Sequence, residues 1–319
     1  MKRTLCFIAI LMMVQQPIFA QDNPHQDLFR LYDYRQDSPI ELTKTLIRED
    51  HDIRLYSLSF LGPVEGRVTG YLIMPRGEGP FPGLIFGHWG FGTNSEFMPE
   101  ALLYGKEGTA CLLIDYPWMR PAPWRRPIDH YSEPEKDREV FTQAVVDLRR
   151  GVDVLDSLSS VDMGRIGYVG HSYGVQWGAI LSAVEKRLKA AVLIGGVPSQ
   201  RSILMDSPDP DFVAFRDGLK PGVLEKYINI ISVFDGIRYV PHVAPTPLFF
   251  QFAKYERFFD ESSMVRYAEA ASEPKTIAWY DAGHELNGVE TTMDRSSWLH
   301  KTIGLPIILE KGKEIHDTE

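Results

Sequence analysis

Residues 165–187, RIGYVGHSYGVQWGAILSAVEKR, decide the fold. The first six form an apolar β-rich run, the segment from Val175 onward has a helical pattern, and GHSYG (170–174) lies between them. Ser172 therefore sits at a strand-to-helix turn, with a glycine two residues away on each side. Such a turn forces the serine backbone into a strained conformation and lifts Oγ clear of the sheet. Glycine at 170 and 174 leaves room for the chain to reverse without a Cβ clash. The helix that follows aims free N–H groups at any developing oxyanion. A small residue at an ordinary turn would not need the glycine pair, so Ser172 reads as a nucleophile.

Outward from this turn, short apolar runs alternate with longer helical ones. Residues 53–60 and 66–74 read as an antiparallel pair around the Gly62-Pro63 turn, and PGLIFGH (82–88) as a strand buried on both faces. A helix over 95–106, the strand TACLLIDY (109–116), a long helix near 136–158, the strand 165–170, a helix over 175–187 and the strand AAVLIGG (190–196) continue the alternation. Residues 197–245 break it with prolines and acidic turns, and read as a small helical insertion or lid holding two helical pieces. PTPLFFQFA (245–253), KTIAWY (275–280) and a helix over 289–302 complete the chain. This is the pattern of an α/β fold built on a mostly parallel twisted sheet with helices on both faces, in one domain over 21–319.

A nucleophilic serine needs a base, and the base needs a carboxylate to orient it. WYDAGHELN (279–287) places His284 just beyond the last strand, in a glycine-flanked turn. The acid belongs in a loop between the elbow and the histidine. FFQFAKYERFFD (249–260) offers two, Glu256 three residues beyond its strand and Asp260 farther on, near the next helix. The shorter loop favours Glu256; both remain open.

The chain has 319 residues, 44% of them hydrophobic, which suffices for a large α/β core. A formal charge of −9 gives no electrostatic footprint for nucleic acid. The first twenty residues, MKRTLCFIAILMMVQQPIFA, have a basic start, an apolar run from Leu5 to Val14 and a small residue at Ala20 before a polar stretch. They read as a secretory signal peptide, with export to the periplasm or the medium and a mature chain starting at Gln21. The apolar run is shorter than a membrane span requires, so no stable membrane insertion is expected. Only Cys111 would survive processing, in a buried strand where it acts as a small hydrophobe. The histidines are scattered and no HExxH occurs, so neither metal nor cofactor is expected, and the partner is a small-molecule ester. The oligomeric state is not legible.

GHSYG, the strand ending in GHWGFG and DAGH, in that order, resemble the α/β-hydrolase superfamily, and more narrowly its dienelactone-hydrolase-like and acyl-esterase branch. The resemblance covers about residues 50–305, including the approach GYLIMPRGEGPFPGLIFGHWG, and fits the 197–245 segment only loosely. Dienelactone hydrolases carry cysteine at the elbow, so Ser172 points to ester or amide hydrolysis; Glu256 stands where aspartate is commoner. The resemblance implies that HWGFG (88–92) supplies half of the oxyanion hole, the expected pair being the backbone N–H groups of Trp89 and Tyr173. YPWMRPAPWRRP (116–127) lies beyond a strand, on the side where such folds bind ligands, which makes Trp118, Trp124 and Arg120 candidate substrate contacts. The expected activity is a serine carboxylesterase acting on short acyl groups, with acetylated carbohydrate one possibility. A serine peptidase, an acyltransferase or an inactive binding protein on the same scaffold are the alternatives.

Overall fold

The computed structural model describes residues 26–309; the signal-peptide reading falls outside them. After a short helix α1 (Gln26–Arg30) come β1 (Thr43–Glu49), β2 (Ile53–Leu61), β3 (Arg67–Pro75) and β4 (Phe81–Gly87). Then follow α2 (Met98–Lys106), β5 (Ala110–Ile114), α3 (Pro134–Asp156), β6 (Val161–His171), α4 (Tyr173–Val184) and β7 (Ala190–Ile194). Three helices, α5 (Gln200–Leu204), α6 (Pro210–Asp217) and α7 (Val223–Ile231), lead to β8 (Leu248–Tyr255), α8 (Glu261–Ala270), β9 (Lys275–Gly283) and α9 (Val289–Ile303).

The nine strands form one sheet in the order β1-β2-β3-β5-β4-β6-β7-β8-β9. The first three pair antiparallel, as does β3 with β5, and every pair from β5 to β9 is parallel. Parallel strands need covered faces, and the sequence provides for both. Leu84, Phe86, Cys111, Leu113 and Val192 point into a core with Phe97, Ala101 and Tyr104 at α2 and Leu299 of α9. Their neighbours Ile85, Leu112, Ile114 and Leu193 point to the opposite face, where α3, α4, α7 and α8 pack. Cys111 is a fully buried free thiol.

The sequence reading missed β1. TKTLIRE is exposed at every position, so it lacks the apolar alternation that marks a half-buried strand; its charges suit a sheet edge. The 95–106 helix begins later, at Met98, because Thr93-Asn94-Ser95 is tied into turns: Glu96 N–H bonds Thr93 O and Asn94 N–H bonds Asp115 Oδ1. Residues 197–245 hold three helices rather than two, followed by three single 3₁₀ turns. Among the described residues no helix is long and apolar enough to cross a membrane.

Candidate active site

β6 runs up the middle of the sheet and ends at His171; α4 starts at Tyr173. Ser172 between them has φ 55° and ψ −113°, in a region that non-glycine residues enter only under constraint. Its N–H is held by Ile194 O at 2.9 Å, and its own carbonyl accepts from Val175 N–H at 2.8 Å. The positive φ thus falls on the serine itself. The flanking glycines serve close approach: a Cβ on Gly174 would lie 2.3 Å from Gly87 O, and one on Gly170 2.4 Å from Gly174 O. Ser172 is half-buried at the strand ends.

His284 lies one residue beyond β9, and Glu256 one residue beyond β8, its parallel neighbour. Adjacent strand ends bring them together: His284 Nδ1 is 2.8 Å from Glu256 Oε2, with 6% and 2% of their side chains exposed. Phe258 N–H donates to Glu256 Oε1 at 2.9 Å, so both carboxylate oxygens are used, and the Phe258 ring stands 4.6 Å edge-on from the imidazole. A carboxylate at Nδ1 makes that nitrogen a donor and leaves Nε2 as the acceptor. Nε2 is buried and finds no partner among the described residues. No hydrogen bond joins it to Ser172 Oγ, although its ring is 5.1 Å from that of His171, next to the serine. Asp260 is elsewhere: it caps α8 by accepting from Ser263 N–H, and hydrogen bonds from Ser262 and Ser263 lower its pKa to about 2.

The oxyanion side departs from expectation. Tyr173 N–H is in the first turn of α4, where the residue four positions back belongs to β6 and offers it no helical carbonyl. Trp89 N–H, however, donates to Glu96 Oε2 at 2.6 Å and is therefore engaged by a carboxylate. The other oxygen of Glu96 is 2.6 Å from His171 Nδ1, and His171 Nε2 lies 3.1 Å from His284 O. His88 fixes the same loop from below: Tyr116 N–H donates to its Nε2, while its Nδ1 meets Trp89 O at 2.6 Å. One nitrogen accepts and the other donates, which is the neutral ring, and burial lowers its pKa to about 4.

Two expected substrate contacts are corrected outright. Trp118 is 3% exposed, packs among Tyr116, Phe141 and Trp177, and donates its indole N–H to Gly90 O; it anchors the HWGFG loop from inside. Arg120 is buried in an ion pair with Asp147 of α3, so its charge is unavailable to a ligand. Trp124 is partly exposed, but it borders an open groove with Leu31, Val64 and Arg126 whose lining includes neither Ser172 nor His284. A strand end followed by prolines does not reveal which way its loop folds, and here the segment turns back onto α3.

A cavity of about 300 Å³ reaches Tyr173, the residue after Ser172, although neither Ser172 nor His284 lines it; its wall joins Gly90, Phe91 and His130 to Phe212 and Phe215 from between β7 and β8, with the carboxylates of Asp129 and Asp211 also on the lining. Sequence reasoning missed His130. Its ring packs against those of Phe91, Phe141, Tyr173 and Tyr227, and burial lowers its pKa to about 4, so it presents a neutral wall. Glu96 and His171 were missed as well, because their partners are 75 and 113 residues distant in the chain. Among the described residues one His/Asp group has ligand atoms within 4.8 Å, Asp50-His51-Asp52, but it lies in the β1–β2 turn, where Asp50 Oδ1 already accepts from two backbone N–H groups.

The sheet order, the strained serine and the strand-end histidine define an α/β-hydrolase fold, and solved structures agree. The chain is similar to an acetyl xylan esterase from Paenibacillus sp. R4, with a TM-score of 0.72 and 20% identity over 86% of this chain and 92% of that one. It matches acetyl xylan esterase 1 from Thermoanaerobacterium sp. JW/SL YS485 at the same TM-score with 17% identity, covering 86% and 91% of the two chains. By sequence it is 25% identical over 262 residues to the acyl-coenzyme A thioesterase 3 of Mus musculus, covering 76% of this chain and 56% of that protein. It is 35% identical over 133 residues to the bile acid-CoA:amino acid N-acyltransferase of Homo sapiens, covering 41% and 28%. The chain thus spans about half the length, or less, of these curated relatives. No protein-family model matches it.

Proposed function

We propose that the chain is a serine carboxylesterase that cleaves small esters through an acyl-enzyme. The observation that carries this reading is Ser172 at φ 55° on the β6–α4 turn, one residue from the His171 ring that borders His284, with the His284–Glu256 pair beside it. In the proposed cycle, neutral His284 Nε2 takes the Ser172 proton as Oγ bonds to the ester carbonyl carbon, and Glu256 stabilises the imidazolium. Tyr173 N–H at the start of α4 faces the developing oxyanion. Collapse breaks the bond to the alkoxide, which leaves with the proton from Nε2. Water then attacks the acyl-enzyme by the same proton path and frees the acid.

The apolar cavity beside Tyr173, near the lower limit of small-molecule sites, suits a short acyl group. An acetyl ester of a sugar is consistent with the acetyl xylan esterases that share the fold. The likeness to thioesterases and N-acyltransferases supports a second reading, acyl transfer from a thioester through the same acyl-enzyme. A chain of net charge −9 offers no long-range attraction to a polyanionic thiol carrier, which favours the simple ester. Export directed by residues 1–20 belongs to the same proposal. A fluorophosphonate probe should label the wild-type chain and not Ser172→Ala; labelling that survives this substitution refutes the assignment. An inactive binding protein would take no label, and p-nitrophenyl acetate against an acyl thioester separates esterase from acyl transfer.

A further inference from the structure

We infer that His171 is a positioning residue that works as an imidazolium, clamping the turn that carries His284 to the loop that carries Trp89, with Glu96 as the carboxylate that keeps it charged. The inference rests on the reading of Ser172 as a nucleophile. Its basis is the identity of the atoms facing the ring. His171 Nδ1 meets a carboxylate oxygen of Glu96 at 2.6 Å, and Nε2 meets the backbone carbonyl of His284 at 3.1 Å. Both are pure acceptors, so both ring nitrogens must donate, and only the protonated ring does that. His88 supplies the contrast within the same site, since it stands between a donor and an acceptor and is satisfied as the neutral ring.

The placement gives the clamp its purpose. His171 is the last residue of β6, directly before Ser172, and is 6% exposed. Through its ring, the elbow, the turn after β9 and the loop before α2 share one hydrogen-bonded chain: Trp89 N–H to Glu96, Glu96 to His171, His171 to the His284 carbonyl. Glu96 and His171 carry opposite charges, so the chain leaves no net charge beside the nucleophile. If the ring loses its proton, one nitrogen turns a lone pair toward an acceptor and one end of the clamp opens. The titratable groups around it are Glu96 on the α2 side, His284 on the β9 side with Glu256 behind it, and His88, Tyr116 and Tyr168, which lie within the field of Glu96.

The sign follows. A charged form needed for alignment is lost as pH rises, so the clamp sets an alkaline limb. The test combines ¹⁵N NMR of the histidine rings with the pH dependence of fluorophosphonate inactivation in wild type, Glu96→Gln and His171→Gln, the last also identifying the His171 resonances. At pH 7 the wild-type ring should show two protonated nitrogens. Glu96→Gln, which removes the stabilising charge, should move the alkaline limb to lower pH. His171→Gln should abolish that limb and slow inactivation about tenfold at the optimum through poorer alignment. A neutral His171 ring at pH 7, or a Glu96→Gln rate lowered equally at every pH, overturns the proposal. Failure of wild type to react with the probe would instead sink the nucleophile assignment, and the ring ¹⁵N signals would still decide the protonation of His171.

Discussion

Glu256→Gln is the sharpest single perturbation, because the structure dictates what the new amide must do. The carboxylate uses Oε1 to accept from Phe258 N–H at 2.9 Å and Oε2 to meet His284 Nδ1 at 2.8 Å. An amide of the same shape has only one acceptor end. The backbone N–H of Phe258 cannot change its character, so it claims the amide oxygen and turns the NH₂ group toward His284. Nδ1 must then accept, the ring proton moves to Nε2, and the nitrogen that should take the Ser172 proton already holds one. The imidazolium also loses its counter-charge in a site where both side chains are nearly sealed from water. A wrong tautomer of this kind costs about 10⁴-fold in kcat, which corresponds to about 5.5 kcal/mol of transition-state stabilisation. KM should barely change. The assay is steady-state hydrolysis of p-nitrophenyl acetate, with urea unfolding of the same samples to show that the fold persists. Asp260→Asn is the control: asparagine caps helices as well as aspartate, so turnover should stay within about twofold. A Glu256→Gln enzyme within tenfold of wild type would refute the assignment of the acid.

Ser172→Gly should abolish probe labelling and leave stability equal or about 1 kcal/mol higher in urea titrations, since glycine relieves the positive φ while loosening the unfolded chain; a marked loss would deny the strain. On p-nitrophenyl esters, kcat/KM should be highest from acetate to butyrate and fall steeply by octanoate, and Phe215→Ala should shift the optimum to longer chains by enlarging the cavity; a wild-type preference for octanoate would contradict the small pocket. Arg120→Ala should cost about 3–5 kcal/mol of unfolding free energy by stranding Asp147, without a change in KM beyond that of folded protein; a selective rise in KM would restore Arg120 to the substrate. His88 and His130 hold pKa values of about 4 against an ordinary 6.5, so the unfolded chain binds more protons between these values. Their contribution is complete above pH 6.5 and is lost as pH falls toward 4, about 3 kcal/mol for each ring, and a urea midpoint unchanged over that window would contradict their neutral burial.

Why some of this was legible in the sequence and some was not has a physical basis. The GHSYG turn was readable because its glycines and serine are local requirements of one tight reversal, and the meeting of His284 with Glu256 because each follows closely on a strand that could be read from its sequence, the two strands being parallel neighbours. Trp118 and Arg120 were misread because their burial depends on where a proline-rich loop lands, and that is decided by Gly90 and Asp147 far away in the chain. The same limit hid Glu96: a glutamate ahead of a helix looks like solvated charge until the fold sets it against the Trp89 N–H and His171. β1 escaped notice because an exposed edge strand has no apolar face to announce it.

His284, the proposed base, follows the last strand of the sheet. β9 has one neighbour, β8, is mostly half-exposed, and ends at Gly283, immediately before His284; Ser172 follows β6, a strand flanked on both sides. The two residues proposed to act together therefore depend on parts of the molecule with unequal resistance to heat. Fraying of an outer strand requires far less disruption than opening the centre, so His284 should swing out of register while β4, β6 and β7 are still intact. On warming, hydrolysis should fade several degrees before the cooperative melt seen by circular dichroism, and should return on cooling from that interval. Operational lifetime is then set by the hold of α9 and β8 on one border strand, and ties across that border would prolong it more than any repacking of the interior.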